Sequence, residues 1–285
     1  MRFATFWKGA LSPMEAACLL SYTKRGYPLT LFSHATVDVP EGVILRDAGE
    51  IVDESYTRRF IYDGKPNLSH FTDYFRYNLF KKTDQIWVDA DMVLLRSFSE
   101  VLPPLVLAKE RRSSVCGAIM RLPRGAKLDL LIERAEAAMD RNLIWGETGP
   151  ILLTKVFGRG LMNEAYSPGR FFAIPHDDFW KAFLPEYANE CAAVTEDAWG
   201  LHLWNNIVDR LGIWKKHAPP VGSFLHVHFQ SDGVLELFDE PYPVAIMRQM
   251  IENFRLRKSG GDLGIKGLLK QAVPSVERTI RHYKK

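Results

Sequence analysis

Cysteine is nearly absent: Cys18, Cys116 and Cys191 are the three in 285 residues. An odd number without metal-type spacing excludes a disulfide framework and suits a reducing, cytosolic setting. Long apolar runs are missing too. No stretch approaches the ~20 residues that span a bilayer. Nor does Met1 to Trp7 show a charged n-region followed by an apolar h-region and a small-residue cleavage site. The expectation is a cytoplasmic protein that meets a membrane, if at all, at its inner face. Charge of one sign is also in short supply. The 37 Lys and Arg stand against 34 Asp and Glu, a net +3, which excludes a dedicated nucleic-acid binder with a dominant basic face. With 47% hydrophobic and 25% charged residues, the chain is neither disordered nor membrane-embedded.

What is present reads as alternating strands and helices. Arg2 to Trp7 is a strand, Ser12-Pro13 opens a helix that runs to about Arg25, and Leu29 to Ser33 is a second strand. Val43 to Leu45 makes a third, and the segment from Asp53 to Pro66 is an irregular connection. A helix over Ser69 to Lys81 follows, then Ile86 to Val88 and Met92 to Leu95 as strands around Asp89-Ala90-Asp91. Further strands are expected at 105–107, 115–120 and 171–174, with an Ala-rich helix over 128–141. Such alternation predicts an α/β fold with a mainly parallel, Rossmann-like sheet flanked by helices.

Two carboxylates at the end of an apolar strand repel each other, and a divalent cation relieves that cost. Asp89-x-Asp91 supplies them where open α/β sheets bind ligands. Oxygen ligation suits Mn or Mg, which keep part of their coordination for substrate phosphates. Asp73, Arg76 and Tyr77 lie at i, i+3 and i+4 on the preceding helix, on adjacent faces. An Asp there can accept from sugar hydroxyls and an Arg can fork onto phosphate; an intrahelical ion pair is the plainer alternative.

The run Phe71-Thr72-Asp73-Tyr74-Phe75-Arg76-Tyr77-Asn78-Leu79, followed by Ile86-Trp87-Val88-Asp89-Ala90-Asp91, resembles the sugar-binding DXD region of glycosyltransferase family 32. That family includes fungal mannosyltransferases and α-1,4 sugar transferases. Phe6-Trp7-Lys8-Gly9 resembles the family's opening strand, Thr148-Gly149-Pro150 its central TGP segment, and His202-Leu203-Trp204-Asn205 its late HLWN segment. Where family members carry Gly-Gly before the DXD strand, this chain has Lys82-Thr83-Asp84-Gln85, so that loop should differ.

The resemblance implies a GT-A fold over residues 1–254, a UDP- or GDP-linked sugar donor, a glycan or lipid-linked acceptor, a Mn or Mg ion and retention of configuration. It gives Asp89 and Asp91 the metal and donor role, Asp73 the sugar hydroxyls, Arg76 the diphosphate or sugar, and Trp7 the base. Tyr77 and Trp204 fall in its donor-binding segments, and His202 is the third metal or phosphate contact. Glu147, beside the TGP segment, either faces the reacting carbon or acceptor or is a solvated loop acid.

Two other readings fit some of these residues. Asp89-x-Asp91-x-Val93, with His176-Asp177-Asp178 as a late acidic pair, fits a haloacid dehalogenase-type phosphatase. A nucleotide- or carbohydrate-binding module would share the fold without catalysis. His226 and His228 alternate as two residues on one strand face would, with no third ligand nearby. Finally, 255–285 holds nine Lys or Arg and two acids, a +7 tail on a body of −4. A short helix there is expected either to be solvated or to contact anionic lipid peripherally.

Overall fold

Ile86 and Val88 face one way from their strand and Trp87 the other, and each face meets its own hydrophobic core. The computed structural model describes residues 1–111, 114–158 and 160–259. Six strands form the main sheet: β1 (Phe3–Phe6), β2 (Leu29–Ser33), β3 (Val43–Asp47), β4 (Ile86–Val88), β6 (Val106–Arg111) and β7 (Ser114–Arg121). Their order is β3-β2-β1-β4-β7-β6. The first four run parallel, whereas β7 is antiparallel to both β4 and β6, so the sheet is mixed and mostly parallel. A short β5 (Met92–Leu94) leaves this sheet and pairs antiparallel with β8 (Gly200–His202).

Helix α1 (Pro13–Thr23) covers one face of the sheet with Ala17, Cys18, Leu19 and Tyr22. Ser12 and Glu15 form the capping box that starts it. Helix α2 (Leu68–Lys82) covers the other face with Phe71, Phe75, Leu79 and Phe80. Burying a phenylalanine of this kind stabilises by roughly 1.5–3 kcal/mol, which fixes the rotation of α2 on the sheet. Helices α3 (Ala126–Glu136) and α4 (Pro150–Phe157) extend that layer, and the whole is a helix–sheet–helix α/β architecture.

The chain runs from β1 outward to β3 and then returns to place β4 on the other side of β1. That reversal opens a crevice between the carboxyl ends of β1 and β4, the usual ligand position in open α/β sheets.

Four expectations differ from the structure. Residues 171–174 are not a strand; Phe171 and Phe172 donate to the Pro168 carbonyl in a turn, and the run is apolar because Phe171, Phe172 and Ile174 enter the core. His226 and His228 lie on helix α6 (Phe224–Ser231), which Ser223 caps by accepting from the His226 N–H, so they do not share a face. The helix expected over 128–141 is α3, which begins earlier and ends at Glu136. The boundary read between 254 and 255 falls inside α7 (Val244–Ser259), where Ile251 is buried, Phe254 meets Phe179 edge-on and Arg255 stacks on Trp180. From residue 260 the basic tail, with its expected lipid contact, lies outside the described residues. Among the described residues no helix is long and apolar enough to cross a membrane.

Candidate active site

A cleft of about 780 Å³ occupies the crevice. The ends of β1 and β4 supply Thr5, Phe6, Trp7, Trp87 and Asp89 to its lining, α2 supplies Asp73 and Arg76, and the turn after β4 adds Asp91. His202, Trp204 and Asn205 close it from the segment joining β8 to helix α5 (Asn205–Leu211).

Asp91 is 8% exposed and held on both oxygens: His202 Nε2 lies 3.2 Å from Oδ1, and the Asn205 N–H donates to Oδ2 at 2.7 Å. Burial disfavours its charge, but the His202 charge and hydrogen bond, with the Asn205 N–H, leave its carboxyl below the usual value. Burial likewise favours neutral His202, and Asp91 reverses this and raises it. Asp89 accepts from the Trp87 indole N–H at 2.6 Å. Burial raises its carboxyl, with the Asp91 charge adding and Arg76 opposing.

Asp89, Asp91 and His202 each offer a ligand atom within 4.8 Å of the others. An octahedral ion with bonds of about 2.1 Å needs ligand pairs roughly 3 to 4 Å apart, so a small contraction would suffice. Two carboxylates and one imidazole suit a divalent cation chemically, and the buried His202 Nδ1 has no hydrogen-bond partner among the described residues. The residues fit a divalent cation.

Arg76 is almost fully buried. It donates to the Thr72 carbonyl at 3.1 Å and the Gly117 carbonyl at 2.6 Å, stacks on Trp87 at 4.8 Å, and points Nη2 between Asp73 (3.5 Å) and Asp89 (3.6 Å). Asp73 in turn accepts from the Thr148 hydroxyl at 2.9 Å. Burial pushes the Asp73 carboxyl up to about 6, against the opposing Arg76 charge and Thr148 hydrogen bond. The intrahelical pair and the cleft position are therefore both real.

The remaining sequence candidates separate. Trp7 is partly buried at the cleft wall, its indole N–H given to Ala10. Trp204 packs against His202 at 4.1 Å in a left-handed conformation, φ 56°, which costs roughly 1–3 kcal/mol for a non-glycine residue. Tyr77 does not line the cleft; it is fully buried and donates to the Thr148 carbonyl at 2.7 Å, bracing the site from behind. Glu147 also stays out, bound to Arg141 and to the Ile144 N–H, and its carboxyl is lowered chiefly by the Arg141 hydrogen bond. The phosphatase constellation is not assembled, because Asp177 faces Arg111 and Asp178 faces Lys181 instead of Asp89.

Sequence reasoning missed Glu15. It is 1% exposed and binds Asn205 Nδ2 at 2.7 Å and Lys215 Nζ at 2.6 Å, so it steadies the residue whose N–H holds Asp91. Its capping-box position after Ser12 was the available signal. His70 was missed too; its Nδ1 lies 2.9 Å from the Thr148 hydroxyl.

No family model matches the chain. It is similar to lactosylceramide 4-alpha-galactosyltransferase from Rattus norvegicus, 27% identical over 146 residues, which is 47% of this chain and 40% of that protein. The enzyme of that name from Homo sapiens is 25% identical over 146 residues, again 47% of this chain and 41% of the relative. The chain thus spans about two fifths of the length of these two relatives. Among solved structures, PaToxG glycosyltransferase superposes with a TM-score of 0.39 at 13% identity, over 68% of this chain and 78% of that one. The glycosyltransferase GlyE of Streptococcus pneumoniae TIGR4 superposes with a TM-score of 0.37 at 15% identity, over 89% and 63%.

Proposed function

We propose that this protein is a glycosyltransferase of the family 32 type. It moves a sugar from a UDP- or GDP-linked donor to a glycan or glycolipid acceptor, with retention of configuration, and depends on Mn or Mg. The observation that carries the reading is the gathering of Asp89, Asp91, His202, Asp73 and Arg76 in one cleft at the reversal of strand order. Similarity to enzymes named lactosylceramide 4-alpha-galactosyltransferase supports it and makes a galactosyl donor and a lactose-type acceptor the first to try.

Asp89, Asp91 and His202 would hold the cation, which supplies positive charge to a departing diphosphate. Arg76 acts beside it. Its guanidinium is fixed by two backbone carbonyls before substrate arrives, so no reorganisation is needed as negative charge develops on the leaving oxygen. Asp73, held by Thr148, accepts hydrogen bonds from donor-sugar hydroxyls and so orients the ring. The Trp7 ring offers a face to the base, and Trp204 with His202 walls the diphosphate region from water. Glu147, engaged with Arg141, has no part in this scheme.

The test is a panel of nucleotide sugars incubated with the protein and Mn²⁺, following release of nucleoside diphosphate. One donor should be hydrolysed, and turnover should vanish with chelator and in Asp91→Ala. If no donor is turned over under any metal, the reading is wrong.

A further inference from the structure

Tyr62, His70 and Trp145 form an aromatic cluster with ring centres 5.7 to 6.0 Å apart, and His70 and Trp145 of it line the cleft. Trp145 is 54% exposed, and Leu68, Pro150 and Ile151 line the cleft around it. A large exposed indole beside apolar side chains is the kind of patch that marks a binding surface. No direct contact joins this cluster to Asp89, Asp91 and His202: from His70 the connection runs through Thr148, Asp73 and Arg76. The cluster and the acid set therefore occupy different places in one cleft.

His70 carries the second observation. An ionised carboxylate only accepts, so the single Thr148 hydroxyl proton goes to Asp73. The Thr148 oxygen then accepts from His70 Nδ1–H, and the other nitrogen, Nε2, is left with a lone pair. His70 is 1% exposed, and among the described residues Nε2 has no hydrogen-bond partner. Burial lowers the imidazole's affinity for a proton, in keeping with a neutral ring. A buried acceptor without a donor carries a cost that a ligand hydroxyl removes.

We propose that Tyr62, His70 and Trp145 are the subsite for the acceptor sugar, whose apolar ring face stacks on Trp145 while one hydroxyl donates to His70 Nε2. This rests on the glycosyl-transfer reading. A phosphate is a poor match here, because Arg76 is the only Lys or Arg among the described residues lining the cleft, and it belongs to the acid set. A ring with C–H faces and hydroxyl donors matches both the indole and the lone pair.

The experiment uses the full chain with Mn²⁺, and lactose, methyl β-galactoside and methyl α-mannoside as probes. Binding is read by saturation-transfer NMR in the presence of UDP or GDP, and transfer by product formation with the nucleotide sugar that the protein hydrolyses. Trp145→Ala should weaken binding of the preferred saccharide by about tenfold and lower the ratio of transfer to donor hydrolysis to match, while Trp145→Phe restores most of both. His70→Asn keeps a donor toward Thr148 and deletes Nε2, so the same ratio should fall with the thermal midpoint nearly unchanged. Equal saccharide affinity in Trp145→Ala and the parent would overturn the proposal. So would weakened nucleoside diphosphate binding in that variant, which would make the cluster a base subsite. If no donor is turned over yet saccharides still bind through Trp145, the subsite stands and the transfer reading fails; absence of saccharide binding in a donor-hydrolysing protein sinks the subsite alone.

Discussion

Gly149 passes so close to Asp73 that a Cβ on it would stand 2.7 Å from Oδ2. The glycine of the Thr148-Gly149-Pro150 segment is thus a matter of space: the neighbouring Thr148 hydroxyl holds the carboxylate, and Gly149 leaves room for it. Gly149→Ala should push the carboxylate off its position at a cost of roughly 1–3 kcal/mol. The expected outcome is a donor KM raised about tenfold, with a thermal midpoint lower by several degrees. Steady-state donor hydrolysis and a melting curve check it; an unchanged KM would mean that the sugar does not rest on Asp73.

The acid set predicts cation-dependent stability. A cation that binds only the folded chain stabilises it by about 2.7 kcal/mol at a hundredfold excess over Kd. Mn²⁺ should therefore raise the melting temperature of the parent protein and leave Asp91→Ala unmoved, even without donor. A shift of equal size in both proteins would place the ion elsewhere.

Glu15 joins α1 to the segment that holds Asp91. Its replacement by Ala removes the Glu15 carboxylate from the largely buried Lys215, which keeps Asn205 Oδ1 at 2.9 Å and Asp209 at 3.0 Å, and leaves Asn205 Nδ2 without its acceptor. Losing one partner of such a pair costs on the order of 3 kcal/mol. Urea unfolding should show that loss, and Mn²⁺ affinity measured on the folded variant should fall as well. Glu15→Gln, which still accepts from Asn205 and Lys215, should recover much of both. Stability lost without any change in Mn²⁺ affinity would reduce Glu15 to a helix-docking residue.

Asp73 sets a pH dependence. Its folded-state value of about 6 lies above the ordinary 3.8, chiefly through burial. The folded protein therefore binds this proton more tightly than the unfolded chain. The group's contribution to stability is complete below 3.8 and is lost as pH rises through about 6. Activity runs the opposite way, because the ionised form accepts the sugar hydroxyls. Donor kcat/KM should fall as pH drops through about 6, and Asp73→Asn should be slower and lack that limb. A pH profile of the two proteins decides it; the same limb in both assigns it to another group.

Local signals carried much of the fold. Ser12 before Pro13 starts α1 as its capping chemistry requires, and the bulky apolar positions Phe71, Tyr74, Phe75 and Phe80 mark the buried face of α2. The β-rich residues around Asp89 and Asp91 place both acids at a strand end, since a polar pair between Val88 and Met92 has nowhere to go but out of the sheet. The same reasoning failed at 171–174, because an apolar run states burial and not hydrogen-bonding pattern, and at His226 and His228, where alternation coincided with a capped helix.

The sequence by itself determined the alternating elements, the pair of acids at a strand end, and the presence of Asp73 and Arg76 on one helix. Only the tertiary structure decided which candidates meet. Tyr77 and Glu147 are as near to the motifs in sequence as Asp73, yet one faces the core and the other an arginine. His202 reaches Asp91 only because β8 pairs with β5, and Glu15 reaches Asn205 across 190 residues. The physical reason is that local pattern fixes which face of an element is buried, through spacing that reads over a few residues. Which element covers that face is set by long-range packing, and a site assembled from separate segments of the chain exists only after that packing is complete.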